Sequence, residues 1–169
     1  MEKKKYEKIV ISIILIIQTI IFGIVGANKS YIHMDEAYSL GLASYDKVEI
    51  QDNEDFYNTW HDGKYYEDYL CVNDDEVGQY KQVYENQKND VHPPLYYLIL
   101  RFAMGFHKNS YSKWPGIIIN MIIYAFVTIF MYLILNKILK DKYKYKEKSA
   151  IIAMISSLVL ASITNVIYI

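Results

Sequence analysis

Residues 9–27 read IVISIILIIQTIIFGIVGA, nineteen in succession without a charge. At about 1.5 Å per residue a helix of that length runs about 28 Å, close to the roughly 30 Å of a bilayer's hydrocarbon core. The pattern returns at 117–135, IIINMIIYAFVTIFMYLIL, and again at 149–169, SAIIAMISSLVLASITNVIYI. A charge at the centre of a span costs about 2.5 to 3.5 kcal/mol on insertion scales, so three uncharged runs are not chance. The averages conceal this, because 53% apolar and 22% charged residues with a mean hydropathy of +0.02 would suit a soluble protein. The expected fold is all-α: a multi-pass helical membrane protein with three transmembrane helices and a large, partly helical, outward-facing first loop carrying short surface helices.

The flanking charges orient the spans. Lys3, Lys4, Lys5 and Lys8 precede the first run, and Lys137, Lys140, Lys142, Lys144, Lys146 and Lys148 lie between the second and third. By the positive-inside rule, residues 1–8 and the basic loop 136–148 are expected in the cytoplasm. Residues 28–116 then face outward, and up to Pro115 they carry fifteen Asp and Glu against eight Lys and Arg, a net of minus seven. The apolar length of the first run and its lack of a small-x-small cleavage site favour a retained anchor over a signal peptide. Cys71 is the only cysteine, which excludes an intrachain disulfide.

Within the outer segment, aromatic and aliphatic residues recur and no low-complexity tract appears, which predicts a packed layer. Residues 34–44 are expected to form a short helix with Asp35 and Glu36 in its first turn, where the helix dipole favours negative charge. Asp62-Gly63 reads as a tight hairpin turn. Residues 75–87 place Val77, Tyr80 and Tyr84 at helical spacing. Pro93 and Pro94 suit a helix start, and Leu95, Leu98, Ile99, Phe102 and Phe106 then form an apolar stripe over 94–106. That helix is too short, and with Arg101 too charged, to span. It is expected to lie along the outer membrane surface, with Tyr96 and Tyr97 at headgroup depth.

Two groups of ionisable residues bracket this loop: His33-Met34-Asp35-Glu36 just after the first span, and Asp90-Val91-His92-Pro93-Pro94-Leu95-Tyr96-Tyr97 before the surface helix. Asp35 and Glu36 suit either helix capping or proton transfer at a membrane-surface site. His92 suits either substrate contact or a rigid corner, and Arg101 either a phosphate partner or a residue snorkelling to lipid headgroups. A divalent cation held by His33 and Glu36 with Asp90 or His92 is the one cofactor candidate, on a spacing too loose to assign ligands.

The order of these features resembles the amino-terminal part of membrane glycosyltransferases of the GT-C class. The likeness is to family 39, the bacterial protein O-mannosyltransferase and aminoarabinose-transferase group. It rests on a first span, an outward loop opening with Asp35-Glu36, a closing His92-Pro93-Pro94-Leu95-Tyr96-Tyr97, a surface helix and a second span. It implies transfer of a sugar from a polyprenyl-phosphate donor to an acceptor on the outer membrane face. Asp35 is then the candidate general base, Glu36 its catalytic neighbour orienting acceptor or cation, and His92, Tyr96 and Arg101 the candidate substrate contacts.

Such transferases carry many more spans, and this chain stops at Ile169 inside its third apolar run. The expectation is therefore an amino-terminal fragment or split subunit, with a downstream chain completing the enzyme. The alternatives are a small non-enzymatic membrane protein whose acidic loop binds a partner or cation, and an inactive remnant. The lipid bilayer is the expected environment, and no nucleic-acid partner is expected.

Overall fold

The computed structural model describes residues 2–44, 58–88, 90–142, 152 and 155. Every regular element among them is helical: α1 (Glu2–Asn28), α2 (Met34–Ser44), α3 (Gly63–Leu70), a 3₁₀ turn (Asp74–Glu76), α4 (Lys81–Lys88), α5 (Leu95–Met104) and α6 (Trp114–Lys142). α1 and α6 each contain a stretch long and apolar enough to cross a membrane, Glu7–Asn28 and Trp114–Ile138. The third apolar run, expected at 149–169, lies almost wholly outside the described residues. The chain divides into two compact units, one of Met1–Lys29 with the part of α6 from Asn120, the other over Ser30–Ile119.

In the first unit α1 and α6 run antiparallel, since Glu7 meets Tyr132, Gln18 meets Thr128 and Phe22 meets Tyr124. Thr128 donates to Gln18 Oε1 at 3.3 Å, Tyr132 donates to Glu7 Oε2 at 3.1 Å, and Asn136 Nδ2 donates to the Tyr132 hydroxyl at 3.1 Å. Polar side chains inside an apolar pair fix its register, because each would otherwise lack a partner away from water. The other faces are bare: Ile9, Ile13, Ile16, Ile20 and Ile24 on α1, and Ile122, Phe126, Phe130 and Leu133 on α6, are each about half exposed. That much exposed aliphatic surface is costly in water and suggests a membrane environment. α6 also runs seven residues past the expected span end at 135, carrying the helix into the basic segment.

The second unit is built on α2. Leu40 and Ala43 are buried with Val72, Val83, Tyr97, Leu100, Met104 and Ile119 in one core. α2 lies against α5, α3 and α4. Gly41 permits the closest of these approaches, since a Cβ there would fall 1.9 Å from Tyr69 Cζ on α3. Asn86 of α4 donates to the Leu42 carbonyl at 3.2 Å. The connection from α5 to α6 is pinned to the 3₁₀ turn. Asn109, in the left-handed region at φ 61°, donates its backbone N–H to Val72 O and its side-chain amide to Asp74 at 2.7 Å, and Lys108 pairs with the same carboxylate. The hydrogen bond from Lys108 is the main cause that holds the Asp74 carboxyl below the usual aspartate value.

Three sequence expectations change. Asp62-Gly63 begins a helix rather than a hairpin: Gly63 is the first residue of α3, with Asp62 at the N-cap position, where an aspartate is favoured for the same reasons that favour it in turns. The helix expected over 75–87 starts only at Lys81, because Gly78 adopts φ 83° and breaks the chain after the 3₁₀ turn. Its buried residues are Val83, Asn86 and Gln87, while Val77, Tyr80 and Tyr84 are exposed. In α5 the apolar stripe faces away from the unit. Tyr97, Leu100, Arg101 and Met104 form the inward face, so Tyr97 belongs to the core and not to an outer aromatic belt.

Candidate functional site

α2 begins five residues after α1 ends, and its first turn separates the two acidic side chains by function. Consecutive helix positions diverge by about 100° around the axis, so neighbours cannot share a face. Glu36 falls inward, 1% exposed, and its Oε2 accepts the backbone N–H of His33 at 3.0 Å. This is the reciprocal half of a capping box, with Glu36 at N3 and His33 at the N-cap. The His33 ring caps a second donor: its Nδ1 accepts the N–H of Asp35, at N2, at 3.3 Å, which requires a lone pair on that nitrogen. Burial and then the charge of Glu36 push the Tyr111 hydroxyl above its ordinary range.

Asp35 falls outward. Its side chain is 82% exposed, with one carboxylate oxygen 3.4 Å from His33 Nδ1. Ser39 follows one turn later, about 6 Å along the axis on the same side of α2. α2 shares its core with Tyr97 of α5. Tyr97 leads to the second motif: its ring lies 6.5 Å from that of His92 and edge-on to Tyr96 at 5.6 Å. Burial first, and then the negative charge of Asp90, raise the Tyr97 hydroxyl above the ordinary phenol value. It stays a neutral donor across the physiological range.

His92 is exposed, and its Nδ1 lies 3.0 Å from Asp90 Oδ2. A neutral ring donating from Nδ1 leaves the lone pair on Nε2 directed outward. Gln87, oriented to satisfy its amide, donates to the His92 carbonyl at 2.9 Å and to the Asp90 carboxylate at 3.3 Å. The corner before Pro93 is thereby braced from α4, and the imidazole is held by a carboxylate that is itself held. Tyr96 is half-buried beside this corner.

Arg101 lies elsewhere. It is 2% exposed, and its guanidinium faces the opposite end of α2: Nη1 donates to Ala43 O at 3.2 Å and Ser44 O at 2.5 Å, and Nη2 donates to Glu76 O at 3.0 Å. A positive group on the last carbonyls of a helix offsets the dipole and satisfies acceptors that have no intrahelical donor. The nine residues from Asp35 to Ser44 put it about 13 Å along the axis from the acidic turn. The residues brought together are Asp90, His92 and Tyr97, while Asp35 has its contact with His33 at the start of α2. The sequence offered no marker for Gln87, since a glutamine before a loop is commonplace.

Among the described residues no three or more His, Cys, Asp or Glu side chains stand together in a way that could hold a metal ion. Cys71 is buried, and burial followed by the charges of Asp68, Glu76 and Glu67 pushes its thiol up, away from the reactive thiolate. Comparison with family models, with curated proteins and with solved structures yields no match for this chain.

Proposed function

We propose that this chain forms the acceptor-side part of a membrane glycosyltransferase of the GT-C class, taking a sugar from a polyprenyl-phosphate donor at the outer membrane face. The observation that carries the reading is the division of labour at the start of α2: Glu36 is fixed in the cap, while Asp35 is open to solvent immediately after a span-length helix. In the reaction, an acceptor hydroxyl gives its proton to the Asp35 carboxylate as its oxygen bonds to the anomeric carbon. The bond from that carbon to the phosphate oxygen breaks, and polyprenyl phosphate leaves with the electron pair. A carboxylate in that role contributes about 10² to 10⁴ in rate.

The proposal includes orientation, with residues 1–8 and 136–148 in the cytoplasm and 28–116 outside, as the lysine distribution favours. It gives His92 a binding role, since an imidazole steered by Asp90 presents Nε2 to a sugar hydroxyl or phosphate. Arg101 supports the site through α2 rather than by touching the donor.

The test uses membranes from cells producing the chain together with its native neighbours, supplied with radiolabelled polyprenyl-phosphate sugars. Asp35→Asn is expected to lower transfer at least about 100-fold at unchanged membrane abundance. Transfer that persists in Asp35→Asn removes the base assignment. A chain giving no transfer beyond that of membranes without it leaves the acidic loop as a binding module.

A further inference from the structure

The outward face of α5 is left uncovered by the second unit. Leu95, Ile99, Phe102 and Phe106 lie on it at 67%, 42%, 57% and 78% exposure, and the Phe102 and Phe106 rings stack edge to face at 5.1 Å. Leu95, Ile99 and Phe102 are spaced four and three residues apart and form one stripe along the helix, and Phe106 follows two residues past its end, against Phe102. Val91, just before the helix, is almost completely exposed as well. The only charge in α5, Arg101, is turned inward onto three carbonyls, which leaves this face with no ionised group. A contiguous apolar surface of this kind is costly in water.

What covers it follows from the inward side of the same unit. Ile117 and Ile119, the first and third residues of the uncharged run 117–135, are buried in it, and Ile119 shares a core with Leu40, Tyr97, Leu100 and Met104. The core of the unit therefore takes in a residue from the start of the uncharged run of α6, and a run of that length enters hydrocarbon near its first residues. Lys113 stacks over the Trp114 ring at 5.9 Å at the start of that helix, a pairing suited to the headgroup layer. α5 is joined to this point through nine residues, and their Lys108 and Asn109 are pinned to Asp74.

We infer that the Leu95–Ile99–Phe102–Phe106 face of α5 is a lipid-docking surface, embedded about 5 to 10 Å into the outer leaflet with the helix in the membrane plane. The bilayer is its occupant, with Phe102 and, just past the end of the helix, Phe106 as its aromatic side chains. This rests on the membrane reading of α1 and α6 and is independent of sugar transfer. Its function is to hold the Asp90–His92 corner, at the amino end of the same helix, at a fixed height above the leaflet.

Nitroxide labels at Ile99→Cys and Phe102→Cys, in the full chain reconstituted in phosphatidylcholine–phosphatidylglycerol vesicles, test this directly. Both sites are exposed, so neither variant removes a core contact, and the unsubstituted chain with its buried Cys71 is the labelling blank. The expected result is a ratio of oxygen to nickel-chelate collision rates several-fold higher at Ile99 and Phe102 than at a label on Tyr84→Cys, an exposed position of α4. Equal ratios at the three sites overturn the inference by placing the face in water. Suppressed collisions with both relaxers, or dipolar broadening between labelled chains, overturn it in favour of a protein partner or a second copy.

Discussion

At the scale of single residues, two adjacent carboxylates have received opposite environments from one rotation of the helix. Glu36 accepts a backbone N–H within the unit, and Asp35 faces outward from it. Glu36→Ala is expected to destabilise the outer unit by about 1 to 2 kcal/mol, through loss of the cap bond and of buried volume. Asp35→Asn should change stability by less than about 0.5 kcal/mol. Thermal unfolding in detergent micelles, followed by the near-ultraviolet signal of the many tyrosines, measures both. Similar losses for the two variants would mean that the carboxylates are not segregated. The sequence already singled out the pair, but not which member does what. That choice depends on the residue at which the helix begins, and His33 is not among the usual N-cap residues that would have marked it.

At the scale of elements, legibility followed the strength of the local signal. α2 agrees with the expected 34–44, and α5 lies within the expected 94–106, because acidic first-turn residues and a proline pair mark helix starts. The stripe on α5 was readable as apolar, but its direction was not. Its opposite face, Tyr97, Leu100, Arg101 and Met104, looks less hydrophobic and is nevertheless the buried one, since Arg101 enters the core with Nη1 on the last carbonyls of α2 and Nη2 on that of Glu76. No sequence pattern announces that an arginine will cap a helix fifty-eight positions earlier in the chain. Arg101→Met should therefore cost about 2 to 4 kcal/mol, because it leaves the Ala43, Ser44 and Glu76 carbonyls without this donor. Arg101→Lys is expected to recover less than half of that, as a single ammonium cannot reproduce the planar fork. Urea titration of both variants supplies the comparison, and a fully stable Arg101→Lys protein would show that charge alone suffices.

For the whole molecule, the apolar runs of α1 and α6 were plain in the sequence because span length is a property of composition and needs no tertiary knowledge. The partition of the outer segment was not plain, since the hairpin expected at Asp62-Gly63 and the helix expected over 75–87 rested on short-range signals shared by caps and turns. Orientation is tested at this scale. A cysteine replacing the fully exposed Trp60 should react with an impermeant maleimide in intact cells, whereas one replacing Lys144 should react only after permeabilisation. The reverse pattern would turn the acidic loop inward.

The burial of Ile117 and Ile119 in the outer unit has a consequence for biogenesis. Synthesis proceeds from the amino terminus, so residues 30–113 leave the ribosome before the segment that closes their core. The unit cannot finish folding before the start of α6 has arrived from the same chain, because Ile119 belongs to its core. Arrival of the start of α6 and completion of the core around Leu40 and Leu100 are then one event. An outer segment severed before Trp114 would lack a wall of its own interior.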